Sequence, residues 1–120
     1  MIRWLVEPEQ LSQDQNRMLT AAVRRSEPLA LSAISLIEIA VIHGGRVRAP
    51  VSKILQALES SSGFIVVPID IEIATEVAAM GDSLRDPNDR VIVATARIHR
   101  LRLVTSDQRI INSKLVPVVE

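Results

Sequence analysis

Four carboxylates in this chain stand where they could act together: Glu38, Asp86, Asp89 and Asp107. Glu38 falls in the first turn of a helix expected after the apolar run Leu29-Ala30-Leu31. Asp86 and Asp89 open a helix that is almost wholly apolar from Val91 to Ile98. Asp107 follows the run Leu101 to Thr105. If those runs are parallel strands, their carboxyl ends share one edge, and ligands of open α/β sheets sit at that edge where the strand order reverses. Carboxylates gathered there cannot all stay charged without a cation, because mutual repulsion raises their pKa values. Mg²⁺ or Mn²⁺ suits such a site, since both take hard oxygen ligands and keep several waters. An ion so held could activate water and clamp a phosphodiester. Each acid also has a structural explanation. Glu38 is the last residue of the capping-box pattern Ser35-Leu36-Ile37-Glu38. Asp86 is an N-cap before Pro87, Asp89 complements the dipole of the same helix, and Asp107 is another cap. Those explanations still put all four acids at one edge.

Arg85 and Arg90 flank the central pair of acids and could hold substrate phosphates, or pair with Asp82, Asp86 or Asp89. His43 and His99 sit near helix ends, where capping accounts for them. Ser106 could position a ligand or serve a turn.

The elements that must position these residues follow from pattern. Pro8 and Ser12 open a helix reaching about Arg25, which Glu27-Pro28 stops. The helix bearing Glu38 ends at His43-Gly44-Gly45. Pro50 opens another, with Val51, Ile54, Leu55 and Leu58 at helical spacing. Phe64-Ile65-Val66-Val67 reads as a strand covered on both faces. Asp70 caps a helix carrying Ile71, Ala74, Val77 and Ala78, and Val116 to Val119 is a last strand. Alternating strands and helices give an α/β domain with a mostly parallel sheet.

The chain has 120 residues, enough for one domain with a sizeable core. It contains no cysteine, which excludes disulfides, thiolate catalysis and Cys-ligated metals. Fourteen acidic and fourteen basic residues leave zero formal charge, so nothing pulls the whole molecule toward nucleic acid. Twelve of the bases are Arg, the residue whose planar fork matches phosphate and carboxylate. Trp4 and Phe64 are the only aromatics, which argues against a platform of stacked bases. No apolar stretch reaches the roughly 20 residues of a spanning helix, and no signal peptide is visible. A cytoplasmic location, with no membrane partner, is the expectation.

Three segments together resemble the PIN-domain ribonuclease toxins, VapC-like. They are Ser32 to Ala40, Arg85 to Ala96, and Leu103 to Asp107. Any one alone would be weak, but their order and spacing match along the chain. The resemblance implies a three-layer α/β/α sandwich and an endoribonuclease dependent on Mg²⁺ or Mn²⁺. It also implies RNA as substrate, a cognate VapB-like antitoxin that inhibits the enzyme, and a homodimer. It maps Glu38, Asp89 and Asp107 onto the family's metal site and Asp86 onto an accompanying acid. The apolar faces of the first two helices become candidates for a groove that receives the antitoxin.

The start of the chain departs from the family pattern. Members open with a central strand ending in an Asp that ligates metal, whereas Met1 to Leu5 resembles the residues just after it. The expectation is therefore a single domain over residues 1–120, N-terminally truncated relative to the family, whose first, central strand is missing. Its slot would be left open, or filled by rearrangement or a partner strand. A misassigned start or a decayed copy would explain this, and a decayed copy would be a catalytically impaired remnant that only binds an antitoxin-like partner. A receiver domain needs a Lys at a late strand end, and neither Lys53 nor Lys114 is so placed. A P-loop or dinucleotide fold needs a Gly-rich turn that does not exist here.

Overall fold

A computed structural model describes residues 2–8, 11–44 and 64–119, with side chains of residues 42–44 left aside. The helix expected from Pro50 lies outside the described residues. Five strands, β1 (Trp4–Val6), β2 (Leu29–Ser32), β3 (Phe64–Val67), β4 (Arg102–Val104) and β5 (Val118–Val119), form one sheet in the order β3-β2-β1-β4-β5. Every pairing is parallel. The described helices are α1 (Gln13–Arg24), α2 (Ala33–Gly44), α3 (Ile71–Ala79), α4 (Pro87–His99) and α5 (Gln108–Ser113).

Trp4–Val6 occupies the central place of the sheet, and this corrects the expectation of a missing central strand. Leu5 is in register with Ala30 on one side and Leu103 on the other. The backbone N–H of Arg102 donates to the Arg3 carbonyl, and that of Glu7 to the Val104 carbonyl, both at 2.9 Å. Three apolar residues are too few to announce a strand by pattern. Two flanking strands satisfy their polar backbone groups, and that pairing makes them one.

The pleat divides the core into two faces. Leu5 and Leu103, paired across β1 and β4, join one cluster with Ile73 of α3, Ile92, Val93 and Ala96 of α4, and Ile110 of α5. Val6 and Val104, one residue further on, join the other cluster with Leu19 and Ala22 of α1. Alternation at period two thus buries both faces of the sheet under helices, giving the α/β/α arrangement. Strand β3 departs from the expectation that it is covered on both faces. It stands at the edge of the described sheet, with Ile65 and Val66 exposed.

Capping residues set most helix starts as their types dictate. Ser12 and Gln15 form a reciprocal capping box on α1, and Asp70 accepts from the Ile73 N–H at the start of α3. Helix α2 differs from expectation. It begins at Ala33 directly after β2, with the Ser32 hydroxyl accepting from the Ile34 N–H. Ser35 is therefore buried inside the helix and Glu38 lies in its second turn, too far along to cap anything.

Candidate metal centre

The chain runs outward from β1 through β2 to β3, then returns to the far side of β1 as β4. The strand order reverses between β1 and β4, and the carboxyl ends of these two strands mark the place where such sheets bind ligands. Glu7 leaves β1 there and Asp107 follows β4. Helix α4 brings Asp89 to the same edge on its first turn, and α2 brings Glu38.

Glu7 is the acid that sequence reasoning missed. It is only 6% exposed. The Thr105 hydroxyl donates to its Oε2 at 2.8 Å and accepts from the Asp107 N–H at 3.0 Å, so one side chain ties the two strand ends together. The Glu7 carboxyl is pushed up from 4.5 to about 7. Burial is the main cause, and the Thr105 hydroxyl opposes it. The negative fields of Asp107, Asp89 and Glu38 add to the rise. Asp107, Asp89 and Glu38 thus lie near enough to Glu7 for their charges to act on it. The available sequence signal was an apolar triplet, Trp4-Leu5-Val6, followed directly by an acid.

Asp107 behaves oppositely. It caps α5 by accepting from the Arg109 N–H at 2.9 Å. The Arg109 guanidinium binds both its oxygens, with Nε 3.3 Å from Oδ1 and Nη2 3.0 Å from Oδ2. That hydrogen bonding holds the Asp107 carboxyl below its ordinary value. Asp89 is buried, and the same Nη2 lies 3.4 Å from its Oδ2. Asp86 caps α4, accepting from the Asn88 and Asp89 N–H groups at 2.9 and 3.4 Å. It is half-buried and tied to the backbone.

A supporting network stands behind the acids. Gln15, buried on the first turn of α1, donates from Nε2 to the Thr105 carbonyl at 2.8 Å and the Val119 carbonyl at 2.9 Å. Its Oε1 accepts from the Ser106 hydroxyl at 2.6 Å and from the Ser12 N–H at 2.8 Å. Ser106 thus braces the loop carrying Asp107 against α1. Gln15 has a local role in the Ser12 capping box and Thr105 one in the turn to Asp107, but their part in this network carries no sequence signature, because it runs through partners 90 or more residues away.

The two flanking arginines separate. Arg90 gives its guanidinium to three carbonyls, those of Val77, Gly81 and Leu84, at 2.6–2.7 Å. It pins the end of α3 and the following turn to α4, and this corrects the expectation that it holds substrate phosphate. Arg85 is exposed, with no described ion pair.

The candidate donors are the carboxylates of Glu7, Glu38, Asp89 and Asp107, all hard oxygens. Glu7 and Asp89 are both buried, and Glu7 protonates more readily than an ordinary Glu, mainly through burial and further through its negative neighbours. These residues fit Mg²⁺ or Mn²⁺ by chemistry. Among the described residues, no three acidic or imidazole side chains are grouped closely enough to hold an ion as they stand.

A strand-order reversal ringed by carboxylates defines a class. A model of the PIN domain matches residues 1–114, and the chain belongs to the PIN-domain family. Within that family it is similar to VapC. It is 34% identical over 110 residues to Ribonuclease VapC22 of Mycobacterium tuberculosis, covering 89% of this chain and 81% of that protein. Solved structures share the fold. VapBC2 from Rickettsia felis, bound to a DNA fragment from its promoter, aligns with a TM-score of 0.73 at 14% identity, covering 99% of this chain and 98% of that one. A toxin-antitoxin complex from Klebsiella pneumoniae aligns with a TM-score of 0.62 at 21% identity, covering 97% and 95%.

Proposed function

We propose that this chain is the toxin component of a type II toxin-antitoxin system and an endoribonuclease dependent on Mg²⁺ or Mn²⁺. The observation that carries this reading is the meeting of Glu7, Asp89, Asp107 and Glu38 in one electrostatic neighbourhood at the strand-order reversal. The similarity to a protein named as a ribonuclease supports it. Glu7, Glu38, Asp89 and Asp107 would hold the ion, which supplies acidity for the attacking water and neutralises phosphate charge. Thr105 and Gln15 fix Glu7 and Asp107 in place. Asp86 holds the α4 terminus so that Asp89 projects to the edge, and Arg85 is left to meet RNA phosphates. The reading of the chain as an impaired remnant rested on an absent acid after the central strand, and Glu7 stands at that point.

The partner reading is a VapB-like antitoxin. A cavity of about 400 Å³ supports it, lined by Leu11, Leu19 and Val23 beside α1, Leu29 and Leu31 of β2, and Ile39 of α2. An amphipathic segment fits such a groove. Homodimerisation and a cytoplasmic location belong to the same proposal. No described helix is long and apolar enough to cross a membrane. The test is to incubate the purified chain with RNA and Mn²⁺, alongside Asp89→Asn. Cleavage by the parent and not by Asp89→Asn is the expected result, and equal cleavage by both would refute the mechanism.

A further inference from the structure

Arg109 is placed against the preference of its own helix. It lies in the first turn of α5, the end where exposed N–H groups disfavour a cation. Its side chain nevertheless turns back over the carboxyl edge of the sheet, where Nη2 stands 3.0 Å from Asp107 Oδ2 and 3.4 Å from Asp89 Oδ2. Asp89 and Asp107 come from α4 and from the end of β4, so one guanidinium bridges two elements across the candidate metal centre. Both acids are largely covered, with side-chain exposures of 8% and 18%, whereas the Arg109 side chain is 67% exposed. An exposed guanidinium on covered carboxylates screens their repulsion, yet water can take over its contacts easily. A divalent ion carries twice the charge and seeks the same oxygens.

We infer that Arg109 is a resident counter-cation. It holds Asp89 and Asp107 together in the metal-free protein and yields their oxygens when a divalent ion enters. This rests on the metal-centre reading above and adds a residue that competes with the ion rather than ligating it. Removing the guanidinium has two effects of the same sign. The metal-free carboxylates lose this screen, and the entering ion meets one fixed positive charge fewer.

The experiment uses Mn²⁺ alone, with the whole chain, Arg109→Gln and Arg109→Lys. Calorimetry gives the affinity, and thermal unfolding gives Tm with and without the ion. Arg109→Gln is expected to bind Mn²⁺ about threefold to tenfold more tightly, from loss of one nearby positive charge. Its metal-free Tm should fall, and its gain in Tm on adding Mn²⁺ should exceed the parent's. Arg109→Lys, which keeps the charge and loses the fork, should fall between. Equal or weaker Mn²⁺ binding by Arg109→Gln, with the parent binding, overturns the role of Arg109 and leaves the metal centre standing. Absence of Mn²⁺ binding in all three chains overturns both.

Discussion

Glu7 and Asp107 are chemically near-identical groups that leave adjacent strands of one sheet and share the hydroxyl of Thr105. Their environments differ. Asp107 receives a helix N–H and an arginine fork, and its carboxyl is held low. Glu7 receives one hydroxyl and is otherwise buried among negative neighbours, and its carboxyl is held high. The pair teaches that acids at one sheet edge need not be uniformly poised. One acid is kept charged and fixed, while burial and its negative neighbours make the other hold its proton.

Neutralising each acid in turn sharpens this contrast most. Glu7→Gln and Asp107→Asn should each reduce RNA cleavage by more than about 100-fold, beyond what supporting residues usually contribute. Their stabilities should move in opposite directions. At pH 8 without metal, Glu7→Gln should gain about 1–3 kcal/mol, because a buried charge is removed. Asp107→Asn keeps a cap but loses the arginine contact, so its Tm should drop by about 2–4 °C. Denaturant unfolding of both variants checks this, and a loss of stability in Glu7→Gln would break the comparison.

Gln15→Ala should come next. It strips hydrogen bonds from two carbonyls and from Ser106 behind the site, and about 1–3 kcal/mol of stability should go with them. Cleavage should fall by about 10- to 100-fold through misplacement of Asp107. Retention of full activity would show that the brace is dispensable.

The pH dependence separates the two acids without mutation. Glu7 titrates in the folded state near 7, above its ordinary 4.5, so the folded chain binds the extra proton between those values. Its contribution is fully present below 4.5 and is lost as pH rises through about 7. Asp107 has a depressed pKa, so its contribution is present above the ordinary 3.8 and is lost only as pH falls below it. Metal-free Tm should therefore decline from pH 5 to pH 8, and the decline should be absent in Glu7→Gln. The smallest effect is expected from Thr105→Val. Loss of the hydroxyl should raise the Glu7 titration further and steepen that decline, which a Tm series over the same range would detect.

Much of the frame was legible in the sequence because its signals are local. Ser12, Asp70, Asp86 with Pro87, and Asp107 each cap the helix that their type and position announce. The runs around Leu29, Phe64 and Leu103 are strands. What escaped depends on distant partners. The triplet Trp4–Val6 is a strand because β2 and β4 flank it, and Glu7 stands at the candidate site because β1 is central. Glu38 was placed one turn too early because α2 begins directly from the strand, without the Ser35 cap that the pattern suggested. Arg90 looked like a phosphate ligand until the turn at Gly81 to Leu84 presented its carbonyls.

The three rungs joining β1 to β4 connect residues nearly a hundred positions apart, from Trp4 with Arg102 to Val6 with Val104. Closing so long a loop is slow, and nothing local compensates for it beforehand. During synthesis, Glu7 emerges early and waits for Thr105 and Asp107 until nearly the whole polypeptide has left the ribosome. An unfinished chain thus cannot yet assemble this acidic edge, since Glu7 still lacks the hydroxyl of Thr105 and the charge of Asp107.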